Sequence, residues 1–257
     1  MMNFTILGNP VSHSKSPDLF KAAYPDQPEL SYDSNLPGSP EECIKILKEN
    51  YNGGNITAPF KEGVYSLADE SSEIASFIGA ANMAIVSKGK IKVDNSDHYG
   101  VIESFKEFGI DLRNKSCLLL GIGGAGKAAA FALNKAGAKL TIANRTPEKA
   151  ENYAAKLNSK AISISDKDFA KCVRNSEIIV NTLYSDIDII DANMLNPNQV
   201  ILDASYIGSS LLEKAKKINC LTIDGRYWVY HQAVYCFKIF TGIEPDKRAM
   251  RKIVNID

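Results

Sequence analysis

The sequence predicts an α/β protein built from two successive strand–helix series, and three observations carry that reading. Short apolar runs alternate with helix-forming stretches from residue 3 to a pair of runs at 83–86 and 90–93. A second series starts at Ser116 and places further strands at 138–143, 161–164, 177–181, 200–204 and 221–224. Between its first strand and an alanine-rich helix lies Gly121-Ile122-Gly123-Gly124-Ala125-Gly126, a glycine-rich turn. Strands that alternate with helices in this way favour parallel sheets with helices packed on their faces.

Each element has a local cause. Residues 3–8 form a short apolar strand. A helix follows over 17–23, with Ser16 read as its N-cap and Pro17 at its first position. Ser39-Pro40-Glu41-Glu42 opens a second helix as a capping box, backed by Ile44, Ile46 and Leu47. Gly53-Gly54 breaks the chain into the strand Asn55-Ile56-Thr57, and residues 71–77 read as a helix. The runs 83–86 and 90–93 flank a Lys88-Gly89 turn and form a hairpin. A helix over 97–108 leads to the second series, whose helix 210–217 sets Leu211, Leu212 and Ala215 on one face. Residues 227–240 are too long and too aromatic for a loop. They are expected to form a helical segment that returns to the first domain.

The strand, the glycine turn and the helix start that follow Ser116 are what a dinucleotide pyrophosphate needs. Glycines let backbone approach the phosphates, and the free N–H groups of the helix point at them. Gly121, Gly123, Gly124 and Ala125 are the candidates. The next strand ends in Asn144-Arg145-Thr146, where a site for NAD usually carries an acidic side chain for the ribose 2′-OH. A guanidinium there clamps a 2′-phosphate instead, so NADP is the expected cofactor, with Lys149 one helical turn on. The plainer alternative makes Arg145 a solvated loop charge. Six strands in this arrangement suit a Rossmann domain.

Composition narrows the partners. The chain has 257 residues, with 30 Lys+Arg against 30 Asp+Glu, so it offers no basic footprint for nucleic acid or an anionic membrane. Its five cysteines are scattered without a CxxC pair, which suits a reducing, cytoplasmic compartment. His13, His98 and His231 lie far apart, and no metal site is expected. The N-terminus has no basic leader pattern, and no apolar run reaches 18 residues.

Outside the glycine turn, a few polar residues stand at element ends. Ser14 and Ser16 precede a helix and could hold a carboxylate, although Ser16 serves equally as a cap. Lys61 and Asp97 are the ionisable candidates, although each alone is more often a surface charge or a helix cap.

Taken together, these pieces resemble the shikimate dehydrogenase family across nearly the whole chain. The matching blocks are Gly8-Asn9-Pro10-Val11-Ser12-His13-Ser14-Lys15-Ser16-Pro17, Asn55-Ile56-Thr57-Ala58-Pro59-Phe60-Lys61, Gly79-Ala80-Ala81-Asn82, and Asn95-Ser96-Asp97 with Gly100. The glycine turn, Asn144-Arg145-Thr146 with Lys149, and Gln232 before Phe237 and Thr241-Gly242 complete the set. The resemblance implies NADP-linked interconversion of shikimate and 3-dehydroshikimate, a step of chorismate and aromatic amino acid biosynthesis, with Lys61 and Asp97 as the catalytic pair. It implies that Ser14, Ser16, Asn55, Thr57, Asn82, Asp97, Tyr206 and Gln232 meet the substrate, and that Thr182 and Gly225 join the cofactor contacts. It also implies a substrate domain over 1–97, an NADP-binding domain over 98–226, and C-terminal helices over 227–257 that return to the substrate domain. Shikimate or 3-dehydroshikimate is the expected partner, and there is room for a homodimer.

Several positions depart from the family pattern. Phe20-Lys21 replaces His-Asn, Met83 replaces Thr, and Asn95-Ser96-Asp97 replaces Asn-Thr-Asp. The proline expected after Tyr206 is missing, Trp228-Val229 replaces Met-Leu, and only Asn181-Thr182-Leu183 remains of a longer motif. These changes bear on packing near the nicotinamide rather than on the polar site. Reduction of a ring ketone needs a hydride and a proton, and an ammonium held charged by a neighbouring carboxylate supplies the proton. Two rival readings are a quinate/shikimate dehydrogenase of broader specificity and a non-catalytic NADP-responsive binding protein. The second would lack Lys61 or Asp97, and both are present.

Overall fold

A computed structural model describes residues 1–184 and 187–256. The chain divides into two compact units, Met1–Asp97 together with the chain from Tyr230 onward, and His98–Val229.

The first unit holds β1 (Met2–Leu7), α1 (Ser16–Ala23), β2 (Leu30–Asn35), α2 (Pro40–Asn50), β3 (Gly53–Ile56), α3 (Lys61–Leu67), β4 (Glu70–Ser71), α4 (Glu73–Ile78), β5 (Met83–Ser87) and β6 (Lys90–Asp94). Its six strands run in the order β2-β1-β3-β5-β6-β4. β1 pairs parallel with β2 and β3, while β3–β5 and the β5–β6 hairpin are antiparallel. Leu7, Ile56, Ala84, Ile91 and Val93 from the sheet pack with Leu47 and Val64 from the helices, and these side chains are fully buried. That burial is the main driving force for the unit.

Local chemistry corrects three expectations in this unit. Ser16 is not the N-cap of α1: Lys15 holds that position, without a side-chain cap, and Ser16 is the first helical residue. Ser14, for which the sequence offered no structural use, accepts the Ser16 N–H at 3.2 Å. The helix expected over 71–77 starts later, because Ser72 Oγ accepts the Ala75 N–H while Ser71 pairs with Val93 in the sheet. In the capping box, Ser39 Oγ does accept the Glu42 N–H, but the Glu42 carboxylate reaches back to the N–H of Gly38 instead of that of Ser39.

The second unit takes in most of α5 (Asp97–Glu107), then β7 (Ser116–Leu120), α6 (Gly124–Lys135), β8 (Lys139–Asn144), α7 (Pro147–Lys156), β9 (Lys160–Ser163), α8 (Phe169–Asn175) and β10 (Ile178–Asn181). A 3₁₀ turn at Ala192–Met194, β11 (Val200–Asp203), α9 (Ser210–Lys217), β12 (Leu221–Ile223) and the start of α10 (Gly225–Thr241) complete it. The strand order is β12-β11-β10-β7-β8-β9, and every pairing is parallel. This is the doubly wound order, which reverses between β7 and β10. β7 shows why its sequence is an unbroken apolar run. Cys117 and Leu119 enter one core with Val101, Leu133 and Trp228, whereas Leu118 and Leu120 enter the other with Phe169, Val173 and Leu212.

The chain leaves the second compact unit inside α10, between Val229 and Tyr230. Within the first unit, the far half of α10 packs by aromatic contact. Phe240 stacks on Phe4 at 5.1 Å, and Phe237 meets Phe20 edge-on at 5.0 Å. α11 (Lys247–Val254) begins at Asp246, whose side chain caps it and whose N–H donates to Ala23 O at the end of α1.

Candidate active site

Lys61 and Asp97 are brought together by one shared segment. Lys61 opens α3 after a turn in which the Phe60 N–H donates to Thr57 O, and its own carbonyl accepts the Ala81 N–H at 2.9 Å. Asp97 opens α5, and its N–H donates to Asn95 Oδ1 at 3.0 Å. Asn95 Nδ2 in turn donates to Ala80 O at 3.0 Å, so both ends of the pair are tied to residues 80 and 81. Lys61 Nζ lies 2.5 Å from Asp97 Oδ2, with the two side chains only 15% and 3% exposed. A charge-assisted bond this sheltered from water is strong, and removing either partner leaves the other charge poorly compensated.

Asn55, Asn82 and Gln232 form a cluster of amides within the same unit. Asn82 is 3% exposed. Its Oδ1 accepts the Ser96 N–H at 2.7 Å, and its Nδ2 lies 3.0 Å from both Ser96 Oγ and Gln232 Oε1. With Oε1 so occupied, the Gln232 Nε2 is the end left to donate to a ligand. Asn55 closes the cluster from β3 by donating to Asn82 O at 3.1 Å. Thr57 is half-buried just beyond β3, and Gly8 is pressed against its methyl group. Ser14 and Ser16 are half-buried at the start of α1.

In the second unit the expected cofactor residues gather at the carboxyl ends of β7, β8 and β10. Gly121 has a φ of +90°, a conformation that favours glycine. Gly126 must also be glycine, because a Cβ there would lie 2.4 Å from Gly121 O. Thr182 braces the turn by donating to Leu120 O at 2.8 Å. Gly124 and Ala125 form the first turn of the 12-residue helix α6, which Gly123 precedes without a side-chain cap. Asn144 Nδ2 donates to Thr146 O at 2.9 Å and shapes the next turn, where Arg145 and Lys149 are exposed and have no ion-pair partner among the described residues. Gly225 stands at the head of α10, where a Cβ would meet Ala204 O at 2.3 Å, and Tyr206 is half-buried after β11.

These residues fit a dinucleotide carrying a 2′-phosphate. Among the described residues, apart from Gly123 and its neighbours in the chain, no atom lies within 4 Å of where a Gly123 Cβ would stand, and α6 starts without a side-chain cap. Among the described residues, no three His, Cys, Asp or Glu side chains gather as metal ligands. Several supports are not singled out by sequence reasoning. Asn181 Nδ2 and Ser209 Oγ both donate to Asp203, which also accepts the Ser205 N–H, so one buried carboxylate knits the loops after β10 and β11. Tyr32 and Cys236 hold the Asn55 amide. Neither carries a sequence signal, since Tyr32 stands in the polar stretch LSYDSN and Cys236 in an aromatic-rich helix.

Comparison with known proteins gives a consistent answer over the whole chain. Residues 6–84 match the model of the shikimate dehydrogenase substrate binding domain, and residues 103–205 match that of shikimate / quinate 5-dehydrogenase. The shikimate dehydrogenase (NADP(+)) of Nitrosopumilus maritimus is 34% identical over 264 aligned positions, covering 97% of this chain and 96% of the relative. Shikimate 5-dehydrogenase from Thermus thermophilus, solved with NADP(H) and shikimate, superposes with a TM-score of 0.89 at 29% identity over 99% of both chains. Shikimate dehydrogenase from Aquifex aeolicus gives a TM-score of 0.92 at 29% identity, covering 100% of this chain and 98% of the other. With an identity above 30% sustained over almost its full length, and with both of the family's domains matched in order, this chain belongs to the shikimate dehydrogenase family.

Proposed function

We propose that this protein is an NADP-dependent shikimate dehydrogenase, an oxidoreductase that interconverts 3-dehydroshikimate and shikimate on the way to chorismate and the aromatic amino acids. The observation that carries the reading is the sheltered Lys61–Asp97 pair, fixed by residues 80 and 81 and flanked by the Asn55, Asn82 and Gln232 amides. The first unit is the substrate domain and the second the NADP-binding domain. When bound, the nicotinamide supplies or accepts the hydride.

The chain's own residues supply the rest. In reduction, the Lys61 ammonium gives a proton to the oxygen that was the ketone, and Asp97 holds that ammonium in place. In oxidation, the Lys61 amine takes the hydroxyl proton. Ser14, Ser16, Asn55, Thr57, Asn82 and Gln232 bind the carboxylate and ring hydroxyls. A site of this kind rejects analogues lacking those hydroxyls, because its buried polar groups would be left unpaired. Gly121, Gly123, Gly124, Ala125, Thr182 and Gly225 shape the cofactor backbone site. Asn144, Arg145, Thr146 and Lys149 take the 2′-phosphate.

Both halves of the proton-transfer pair come from one chain, so a homodimer is not required to complete it. The five unpaired cysteines suit a reducing compartment, and a cytoplasmic location goes with this reading. A second reading, use of quinate as well, is favoured by the family model over residues 103–205, whose description covers both substrates. Absorbance at the NADPH band, followed with shikimate and quinate each offered NADP or NAD, tests both. Turnover of shikimate with NADP is expected, comparable turnover of quinate gives the broader enzyme, and no turnover with any pair overturns the proposal.

A further inference from the structure

The Tyr32 hydroxyl touches one of the proposed substrate contacts directly. It donates to Asn55 Oδ1 at 2.7 Å. The Asn55 amide has only one workable orientation, because its Nδ2 donates to Asn82 O at 3.1 Å and to Cys236 Sγ at 3.2 Å. Turned over, it would set Oδ1 against the Asn82 carbonyl, acceptor facing acceptor. With Nδ2 so placed, Oδ1 faces the phenol and takes its single proton. The donors therefore run in one direction, from Tyr32 to Asn55 and on to Asn82 and Cys236.

Tyr32 is itself held firmly. Its backbone sits opposite Phe4 in the β1–β2 pairing, and its ring lies 4.8 Å from Phe20 and 5.7 Å from Phe237. Burial pushes the phenol well above the usual tyrosine range, so it stays a neutral donor at working pH. Phe20, which departs from the family's His at that place, is one wall of this aromatic box.

We propose that Tyr32, with Cys236 behind it, is a positioning residue of the substrate site, orienting the Asn55 amide before the substrate arrives. The proposal rests on the reading of Asn55 as a substrate contact. It predicts an effect on substrate affinity with little effect on the chemical step or on the cofactor, which a merely structural role would not produce.

The test is steady-state kinetics of the full chain with shikimate and NADP, run on Tyr32→Phe, Cys236→Ala, Cys236→Ser, Asn55→Ala and Ser16→Ala. Loss of one neutral hydrogen bond in Tyr32→Phe should raise the shikimate KM about 3–10-fold, with kcat within about twofold and the NADP KM unchanged. Cys236→Ala should raise the shikimate KM about twofold, and Cys236→Ser should restore it, because a hydroxyl oxygen still accepts from Asn55. An unchanged KM in Tyr32→Phe, with Asn55→Ala and Ser16→Ala clearly impaired, overturns the positioning role and leaves the substrate site standing. An unchanged KM in Asn55→Ala and Ser16→Ala overturns both. If Tyr32→Phe fails to fold, the cysteine pair decides: a KM raised by Ala and restored by Ser supports the proposal, and equal values in both overturn it.

Discussion

The two units prepare for their ligands in opposite ways. Around Lys61 and Asp97 the polar side chains are already bonded to one another: lysine to aspartate, aspartate N–H to Asn95, Asn82 to Ser96 and Gln232, Asn55 to Tyr32. Around the glycine turn the groups that would meet a ligand stand open. α6 has no side-chain cap, and Arg145 and Lys149 are exposed without an ion-pair partner among the described residues. A small polyol is distinguished by where its hydroxyls sit, so the amides that read it must be held still by neighbours. A phosphate is recognised by charge and by backbone N–H groups, which helix geometry aims without help from side chains.

The largest break in that contrast is expected at Lys61. Lys61→Ala should lower turnover about 10²–10⁴-fold, the range for general acid–base catalysis, while the shikimate KM moves far less. Lys61→Arg should not rescue oxidation, because a guanidinium stays protonated at ordinary pH. Asp97→Asn should also impair turnover, and the double variant should lose less than the sum of the singles, since the pair acts as a unit. A wild-type rate in Lys61→Ala would mean the proton travels through another group.

On the open side the expected effects are smaller and selective. Arg145→Ala should weaken NADP by about 1.5–3 kcal/mol, the worth of hydrogen bonds to a charged group, and spare NAD. The ratio of the two cofactors' KM values checks it, and equal loss for both would make the arginine structural. Gly126→Ala should destabilise the second unit by about 1–3 kcal/mol, because the new methyl would press on the backbone oxygen of Gly121 rather than on a side chain that can turn aside. Denaturant midpoints measure that loss. The NADP KM should rise with it while the shikimate KM holds.

The same division decides what can be read from the sequence. β7, β10 and β11 declare themselves because strands buried on both faces are largely apolar. β2, with sequence LSYDSN at the sheet edge, shows no such run, and patterning does not reveal it. The start of α1 falls one position before the expected one, because Lys15 caps the helix through its backbone alone and leaves no side-chain signature. The glycine turn is legible because its conformational demands are local. The residue types of the amide site are legible too, through the family blocks that carry Asn55, Asn82 and Gln232. Their internal bonding is not, since Tyr32 and Cys236 reach Asn55 from 23 and 181 positions away, with no periodicity to betray them.

The smallest effect separates burial from charge as the source of the first unit's pairing. Lys115 and Glu177 lie 2.8 Å apart in the second unit, close to the spacing of the Lys61–Asp97 pair, but both are about half exposed. The Lys115 ammonium, followed by the Ser116 N–H, lowers the Glu177 carboxyl from 4.5 to about 2. A lowered carboxylate contributes stability that is complete above its unfolded value and fades as pH falls toward its folded one. The contribution should therefore be full near neutrality and drain away between about pH 4.5 and pH 2. Water and salt screen an exposed pair, so Glu177→Gln should cost less than about 1 kcal/mol at neutral pH. Melting temperatures of the variant and the wild type should differ slightly at pH 7, converge in acid, and converge again in high salt. A gap that persists in high salt would show that Glu177 holds the start of β7 through its bond to the Ser116 N–H rather than through the charge of Lys115.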